Sequence, residues 1–263
     1  MPFPESPRVI YRKNPLVEVV CQLRFPAILR IAAELPSVFQ ERIRSIYPGY
    51  QQKPSMPALP PGLPAEMVKA LQPVANAGVG GVVHEFSGGD GAWAATLAPT
   101  FLALKTDNYK RWEAFHTRLQ ELFDALVELY QPPYFERIGL RYIDVIQRSQ
   151  LELSDRPWRE LLQPHIGAEL AANGIGDNIL HVERQVLVRL SDEQGKVMIR
   201  HGIVQAQATN EQCYMIDSDF FVERRVEKEN ALATLTQFNR KAGWLFRWCI
   251  QPPVHDALEP EPT

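Results

Sequence analysis

The side chains best placed for chemistry are arginines on two predicted strands. Arg24 shares one strand face with Glu18 and Gln22, while Arg137 and Arg141 share a face of a later strand. A guanidinium on a half-buried sheet needs a partner, because an unpaired buried charge costs several kcal/mol. One interpretation is an internal network that pairs Arg24, Arg137 and Arg141 with nearby carboxylates and sets the register of the sheet; the candidate partners are Glu18, Glu136, Asp144 and Glu183. In the other, one or two of the arginines bind an anionic ligand through their planar fork, and Arg24, Arg137, Arg141, Glu18 and Gln22 form the site.

Two aspartates suggest a second kind of chemistry. Asp217 and Asp219 are two positions apart in the sequence, so a strand places both carboxylates on one face. Asp144 of another strand is a third candidate. Carboxylates gathered in this way can hold Mg²⁺ for phosphoryl chemistry. No further acidic residues complete a recognisable spacing, so pairing with arginines is the simpler interpretation. The metal site at Asp217 and Asp219 is therefore a hypothesis.

Other common catalytic and cofactor motifs are missing from the sequence. The glycine cluster at 78–81 lacks the Gly-Lys-Ser/Thr ending of a phosphate loop and the spacing of a dinucleotide-binding turn. No two histidines have the i, i+4 spacing of a helical metal site, and no serine lies in a Gly-x-Ser-x-Gly turn. The three cysteines are widely spaced, which predicts buried free thiols. We therefore predict no cofactor, and a role other than catalysis is favoured.

The composition narrows the class of protein further. Of the 263 residues, 45% are hydrophobic and 22% are charged, which is typical of a globular chain able to form a core. The net charge of -3 is too close to neutral for a chain held on nucleic acid by phosphate contacts. The start of the chain has no apolar segment of signal-peptide length, and charges or prolines interrupt every candidate membrane span. We therefore expect a cytoplasmic protein.

Hydrophobic periodicity predicts the elements that position these side chains. In residues 17–25 every odd position is apolar, which is the period of a half-buried strand, and prolines stand near both ends. Residues 109–130 carry a broad apolar stripe with helical spacing, which predicts a long helix. The other predicted elements of this half are a short helix at 35–47, strands within 78–106 and a long strand at 135–147.

The second half has the same order of elements. Predicted strands at 180–190, 197–205 and 213–222 precede a helix at about 227–248. This pattern predicts an α+β fold with a largely antiparallel sheet and long helices packed on one face; whether the two strand-strand-strand-helix halves are a duplication stays open. Residues 1–250 are expected to form a single domain with a proline-rich loop at 48–64. Residues 251–263 are expected to form a disordered acidic tail.

Three blocks of sequence resemble a known family. They are Tyr11-x-Lys13-Asn14-Pro15-Leu16-x-Glu18-Val19-x-x-Gln22-Leu23-Arg24-Phe25-Pro26, the helix start Tyr109-x-x-Trp112-x-x-Phe115, and Arg137-Ile138-Gly139-Leu140-Arg141-Tyr142-Ile143. Over most of its length the chain is similar to a sporadically distributed family of uncharacterised bacterial proteins. The resemblance implies no established activity or catalytic residue. Patchy occurrence implies genes that travel, such as mobile-element, toxin–antitoxin or phage-defence genes.

Taken together, these patterns predict a non-catalytic binding or regulatory accessory protein. It would act through contacts with a protein partner or as a homo-oligomer, using exposed strand edges or the proline-rich loop, with no membrane or nucleic-acid partner. The alternative is a binding domain or enzyme for a phosphorylated or nucleotide-like ligand that uses the strand arginines.

Overall fold

The computed structural model describes residues 2–54, 82–172, 174–190, 195–206 and 209–262. The strands are β1 Val9–Tyr11, β2 Leu16–Arg24, β3 Gly49–Pro54, β4 Val82–Ser87, β5 Trp93–Ala98, β6 Phe101–Thr106, β7 Phe135–Ile146, β8 Glu183–Arg189, β9 Lys196–Gln205, β10 Gln212–Val226 and β11 Pro260–Pro262. The helices are α1 Leu29–Ala33, α2 Ser37–Ile43, α3 Trp112–Tyr130, α4 Lys228–Cys249 and α5 Pro252–Ala257. Four 3₁₀ turns lie at Arg148–Leu151, Trp158–Glu160, Glu169–Ala171 and Gly176–Asn178.

Nine of these strands form one large antiparallel sheet in the order β3-β4-β5-β6-β2-β7-β10-β9-β8. Although β2 comes early in the chain, it lies at the centre, between β6 and β7. Its partners therefore come from later in the sequence, so the strands of both halves join in a single sheet. The predicted α+β class with a large antiparallel sheet is confirmed.

The alternation in β2 separates the two faces of the sheet. Val19, Cys21 and Leu23 are fully buried, and the face that carries them is called the core face below. The side chains that alternate with them along the strand, including Glu18 and Arg24, lie on the opposite face, called the open face. Because the strands pair without a shift across most of the sheet, each residue on β2 identifies the face of its neighbours on β6 and β7.

Both long helices bury the apolar stripes that the sequence predicts. In α3, Phe123 packs against Phe135 of β7 with ring centroids 5.8 Å apart. In α4, Phe238 packs against Phe220 of β10 with centroids 6.1 Å apart. Helix α3 ends at Tyr130. The next residue, Gln131, adopts a left-handed conformation with φ of 47° and stands immediately before the two prolines that prevent the helix from continuing.

The structure differs from the sequence prediction at the C-terminal segment. Residues 251–262, predicted to be a disordered tail, form α5 and β11 instead. Val254 and Leu258, one helical turn apart, are fully buried, and β11 pairs with β1. The prediction of disorder was wrong because it weighed the polar and proline-rich composition and missed two apolar anchors at i, i+4 spacing.

The proline-rich loop predicted at 48–64 is also corrected in part. Residues Gly49–Pro54 form the edge strand β3, paired with β4, and Tyr50 packs against Phe86 with ring centroids 5.4 Å apart. The first prolines of the segment, Pro48 and Pro54, stand just before the strand and at its last residue, where a strand tolerates proline. Residues 55–64 lie outside the described residues.

Two smaller points complete the fold. Cys21, Cys213 and Cys249 are buried free thiols, as predicted. Within the described ranges, the chain has no helix that is both long enough and apolar enough to cross a membrane.

Candidate functional site

The strand arginines predicted from the sequence lie on the open face, where carboxylates of β10 bind two of them. Arg141 makes a bidentate contact with Asp217, with Nε–Oδ1 and NH2–Oδ2 distances of 2.7 and 2.8 Å. Arg137 donates to Asp219 over 2.9 Å, and Arg200 of β9 lies 3.2 Å from Asp217. The register of β7 against β10 and of β10 against β9 places these residues side by side. An internal network therefore exists on this face and spans three strands, but Arg137 and Arg141 pair with Asp219 and Asp217 and not with the expected Glu18, Glu136, Asp144 or Glu183.

Asp217 is the buried centre of this network. The Asp217 side chain is only 2% exposed, so its charge depends on the two guanidinium groups that contact it. The hydrogen bond with Asp217 raises the pKa of Arg141. Burial raises the pKa of Asp219 even though the Arg137 charge opposes the shift. Gly139 has no side chain, and this leaves room for the Arg137 guanidinium. A Cβ at position 139 would clash with that group.

The other predicted ligand-binding residues do not join this network. Glu18 forms an ion pair with Lys105 of β6. Arg24 is exposed and lies opposite Arg137 in the register of β2 and β7, and in the described part of the chain it has no ion pair. Gln22 is half-buried beside them. The five residues thus share one face of the sheet, but they do not surround a common pocket.

The two carboxylates of the hypothetical metal site, Asp217 and Asp219, form ion pairs with arginines. The third candidate, Asp144, lies on the core face, because its register partner on β10 is Ile216 and not an aspartate. Among the described residues, no three or more His, Cys, Asp or Glu side chains are grouped so that they could hold a metal ion.

A cavity of about 550 Å³ lies on the core face around Asp144. Its volume falls in the range of small-molecule sites. Sheet strand β7, the N-terminal part of α3, one side of α4 and the segment before β2 all contribute to its lining. The aromatic side chains among the lining residues are Tyr11, Tyr109, Trp112, Tyr142, Trp244 and Phe246.

The N-terminal segment forms one wall of the cavity and is held in place at several points. Strand β1 pairs with β11, and the indole of Trp244 donates to the Ser6 carbonyl over 3.1 Å. The Tyr11 hydroxyl lies 2.8 Å from His255 Nδ1 and accepts a hydrogen bond from Arg247. Burial raises the pKa of Tyr11 to about 12, so this hydroxyl keeps its proton at neutral pH.

The floor of the cavity is polar. Tyr142, 4% exposed, donates its hydroxyl hydrogen to Asn239 Oδ1 over 2.9 Å, and the Tyr109 hydroxyl approaches the same oxygen at 3.4 Å. Asp144 is 6% exposed, and no described residue donates a hydrogen bond to it or pairs with its charge. Burial, with a smaller contribution from the charge of Asp217, raises the pKa of Asp144 to about 8. At neutral pH the cavity floor therefore carries a neutral carboxylic acid, which can donate one hydrogen bond.

Helix α4 contributes an unusual residue to the cavity. Gly243 stands in the interior of the helix, where glycine is about 1 kcal/mol less favourable than alanine. An added Cβ at this position would meet no atom within 4 Å, so packing within the described chain does not require the glycine. The missing side chain instead leaves open space in the cavity lining, as is common where a backbone is approached by a ligand.

The mouth of the cavity is strongly basic. The lining carries five cationic side chains, Arg8, Lys110, Arg111, Arg240 and Arg247, against the two carboxyl groups of Glu113 and Asp144. Arg8 and Glu113 bind one another, which cancels one charge of each sign. The whole chain, in contrast, has a net charge of -3.

No protein-family model matches the chain, and a search of curated proteins finds no match. The resemblance of the three sequence blocks to a bacterial family therefore stays a prediction.

Sequence reasoning named Asp144 but assigned it to the wrong group, and it missed the rest of the cavity. The alternation of side chains along β7 was an available signal for Asp144. It is an odd number of positions from Arg137 and Arg141, so its side chain lies on the opposite face of the sheet. Gly243 inside an apolar helical stripe was a second available signal. The contribution of the N-terminal segment to the lining had no signal in the sequence.

Proposed function

We propose that this protein binds a small organic anion with a flat ring, such as a nucleotide, in the cavity around Asp144. The observation that carries the proposal is the nearly buried Asp144 side chain, which lines an open cavity and has no partner among the described residues. Buried polar groups are almost always paired, and the exceptions concentrate at functional sites. A ligand with hydrogen-bonding groups would satisfy Asp144 on binding.

The chemistry of the lining supports the class of ligand. Aromatic walls suit a flat ring, since stacking on an aromatic side chain contributes about 1–3 kcal/mol per base. The exposed cations at the mouth, Lys110, Arg111 and Arg240, suit a phosphate or carboxylate group. On the floor, the Asp144 carboxyl and the Asn239 amide suit the polar edge of the ring.

This proposal agrees with the ligand class of the second function predicted from the sequence, but it uses different residues. Arg137 and Arg141 already bind Asp219 and Asp217, so the cations at the mouth take the role that was expected of the strand arginines. The proposal also includes the predicted packing of both long helices on one face of the sheet. This placement of the helices is supported by the cavity lining, which includes Trp112 of α3 and Asn239 of α4 together with Tyr142 of the sheet. Similarity of the two halves stays a prediction.

Binding of AMP, GMP and inorganic phosphate to the purified full chain, measured by calorimetry and native mass spectrometry, tests the proposal. A nucleotide should bind more tightly than phosphate alone, because only the nucleotide places a ring between the aromatic walls. Gly243→Phe should weaken nucleotide binding at least about tenfold by filling the cavity, a loss of about 1.4 kcal/mol. Ala233→Phe is the matched control, since it places the same side chain on an exposed position of α4 outside the lining.

Two results would contradict the proposal. If neither nucleotide binds, the ligand class is wrong. If a nucleotide binds equally well to the Gly243→Phe and Ala233→Phe variants, the site is not the cavity.

The accessory function through protein contacts is a second candidate. It is supported by strand β8, which forms an exposed edge of the large sheet.

A further inference from the structure

Strand β8 is an edge strand with little protection against pairing. All seven residues pair with β9 without a register shift, so the strand is regular and has no bulge. It contains no proline, and within the described ranges no strand lies along its other edge. Such an edge presents a row of free N–H and C=O groups, which proteins usually block with a proline, a bulge or a central charge.

The centre of β8 is apolar and exposed. Val186 is 47% exposed and Leu187 is 52% exposed, and because they are neighbours in a strand they lie on opposite faces of the sheet. Two more exposed apolar side chains, Ile175 and Leu180, precede the strand closely in the sequence. Four of the ten large apolar side chains that are exposed in the described residues thus fall within 175–187.

The charges at the two ends of β8 are complementary to each other. Glu183 is the first residue of the strand and Arg189 is the last, and neither forms an ion pair with a described residue. Arg184, in contrast, is bound to Glu169. A strand with an acid at one end, a base at the other and an apolar centre matches an antiparallel copy of itself.

We propose that β8 pairs antiparallel with β8 of a second copy of this chain, about a two-fold axis through Val186. In this register Glu183 of each copy lies opposite Arg189 of the other, so the interface contains the charge pair twice. Val186 meets the second copy's Val186, and Leu187 lies opposite Gln185. The two nine-stranded sheets become one continuous sheet.

Symmetry makes this register distinctive. A two-fold axis perpendicular to the sheet pairs residues of the same face, so the register can shift only by sliding the axis one residue along the strand, which moves each partner by two. With the axis at Gln185, Glu183 faces Leu187. With the axis at Leu187, Arg189 faces Gln185. Only the axis at Val186 places both free charges of the strand opposite a charge of the other sign. This complementarity favours a second copy over an unrelated partner strand.

A charge exchange tests the pairing. Wild type, Arg189→Glu, and Glu183→Arg combined with Arg189→Glu are compared by analytical ultracentrifugation over a range of concentrations. The single variant places Glu against Glu twice and should raise the dimer Kd about tenfold or more. The double variant restores both pairs with reversed polarity and should return Kd to near the wild-type value. Circular dichroism and thermal melting of each variant show that the monomer fold is intact.

A cross-link tests the register independently. Val186→Cys should form a disulfide between copies under mild oxidation, because residues on the two-fold axis have Cα atoms about 5 Å apart. Val188→Cys is the matched control on the same face. Its two copies would lie about 13 Å apart along the paired strands, too far to bridge. The three native cysteines are buried and do not compete.

Several outcomes would overturn the proposal. A wild-type chain that stays monomeric at all concentrations excludes the dimer. A dimer whose Kd is the same in wild type and in both charge variants uses another surface. Equal cross-linking at positions 186 and 188 excludes the register through Val186. A monomer that loses a different bound protein on Arg189→Glu would assign the edge to that protein instead.

Discussion

Replacing Asp144 by asparagine tests whether the floor of the cavity is a neutral carboxylic acid in the folded protein. Asparagine has nearly the same shape as aspartic acid but cannot ionise, so the substitution changes the titration and little else. The folded-state pKa of Asp144 is raised to about 8 by burial, whereas an unfolded chain has an aspartate pKa of about 3.9. The folded state therefore holds this proton more tightly than the unfolded state does.

The sign and the size of the effect follow from this difference. The stability contributed by the bound proton is fully present below about pH 4 and is lost as the pH rises through about 8. Between pH 5 and pH 7 the unfolded chain is ionised at this residue and the folded chain is not. Each pH unit in that interval lowers the free energy of unfolding by about 1.4 kcal/mol. The Asp144→Asn variant lacks this slope, so its stability relative to wild type should rise by about 2.7 kcal/mol from pH 5 to pH 7.

Urea denaturation of both proteins at pH 5, 6 and 7 measures the difference. Because every other titrating group is shared, its contribution cancels when the variant is compared with wild type. Asp155→Asn is the control for the substitution itself, since Asp155 is also an aspartate but is exposed. If wild type and Asp144→Asn keep a constant difference from pH 5 to 7, the folded protein carries a charged Asp144, and the argument from burial is refuted.

Four further substitutions test other parts of the structure. Gly243→Ala should raise the free energy of unfolding by about 1 kcal/mol, because an added methyl group meets open space on α4; thermal denaturation measures this, and a lower Tm would contradict it. Arg141→Met should cost about 3 kcal/mol by removing the bidentate partner of the buried Asp217, whereas Arg24→Met should change stability by less than about 0.5 kcal/mol; equal effects in urea denaturation would contradict the network. Leu258→Ala should cost about 3 kcal/mol if the C-terminal segment belongs to the core, and a change below about 0.5 kcal/mol in the same assay would contradict that placement.

The parts of the fold that the sequence predicts well are those governed by a single periodicity. Alternation in β2 predicts which side chains are buried, and Val19, Cys21 and Leu23 are all fully buried in the structure. The helical spacing of the apolar stripes in α3 and α4 likewise predicts which of their side chains are buried. Periodicity also places Arg137 and Arg141 on one face correctly.

Pairing between distant segments is where the sequence fails. Nothing in the residues near β1 indicates that this three-residue strand pairs with β11, more than two hundred positions away. The C-terminal segment was therefore predicted to be disordered, although burial of Val254 and Leu258 stabilises it. The cavity depends on the same long-range contact, because the segment anchored by β1 forms one of its walls. No local pattern encodes such a wall.

Asp217 and Asp144 show how one sheet gives two carboxylates opposite properties. They lie on neighbouring strands but on opposite faces. The register partner of Asp144 is Ile216, and Asp217 is the next residue along β10, so its side chain points to the other face. On the open face, the guanidinium groups of Arg141 and Arg200 bind Asp217. Its negative charge acts through the sheet and adds to the burial that raises the pKa of Asp144. One sheet therefore places an arginine-bound aspartate on its open face and a neutral carboxylic acid on its core face, and the charge of the first contributes to the raised pKa of the second.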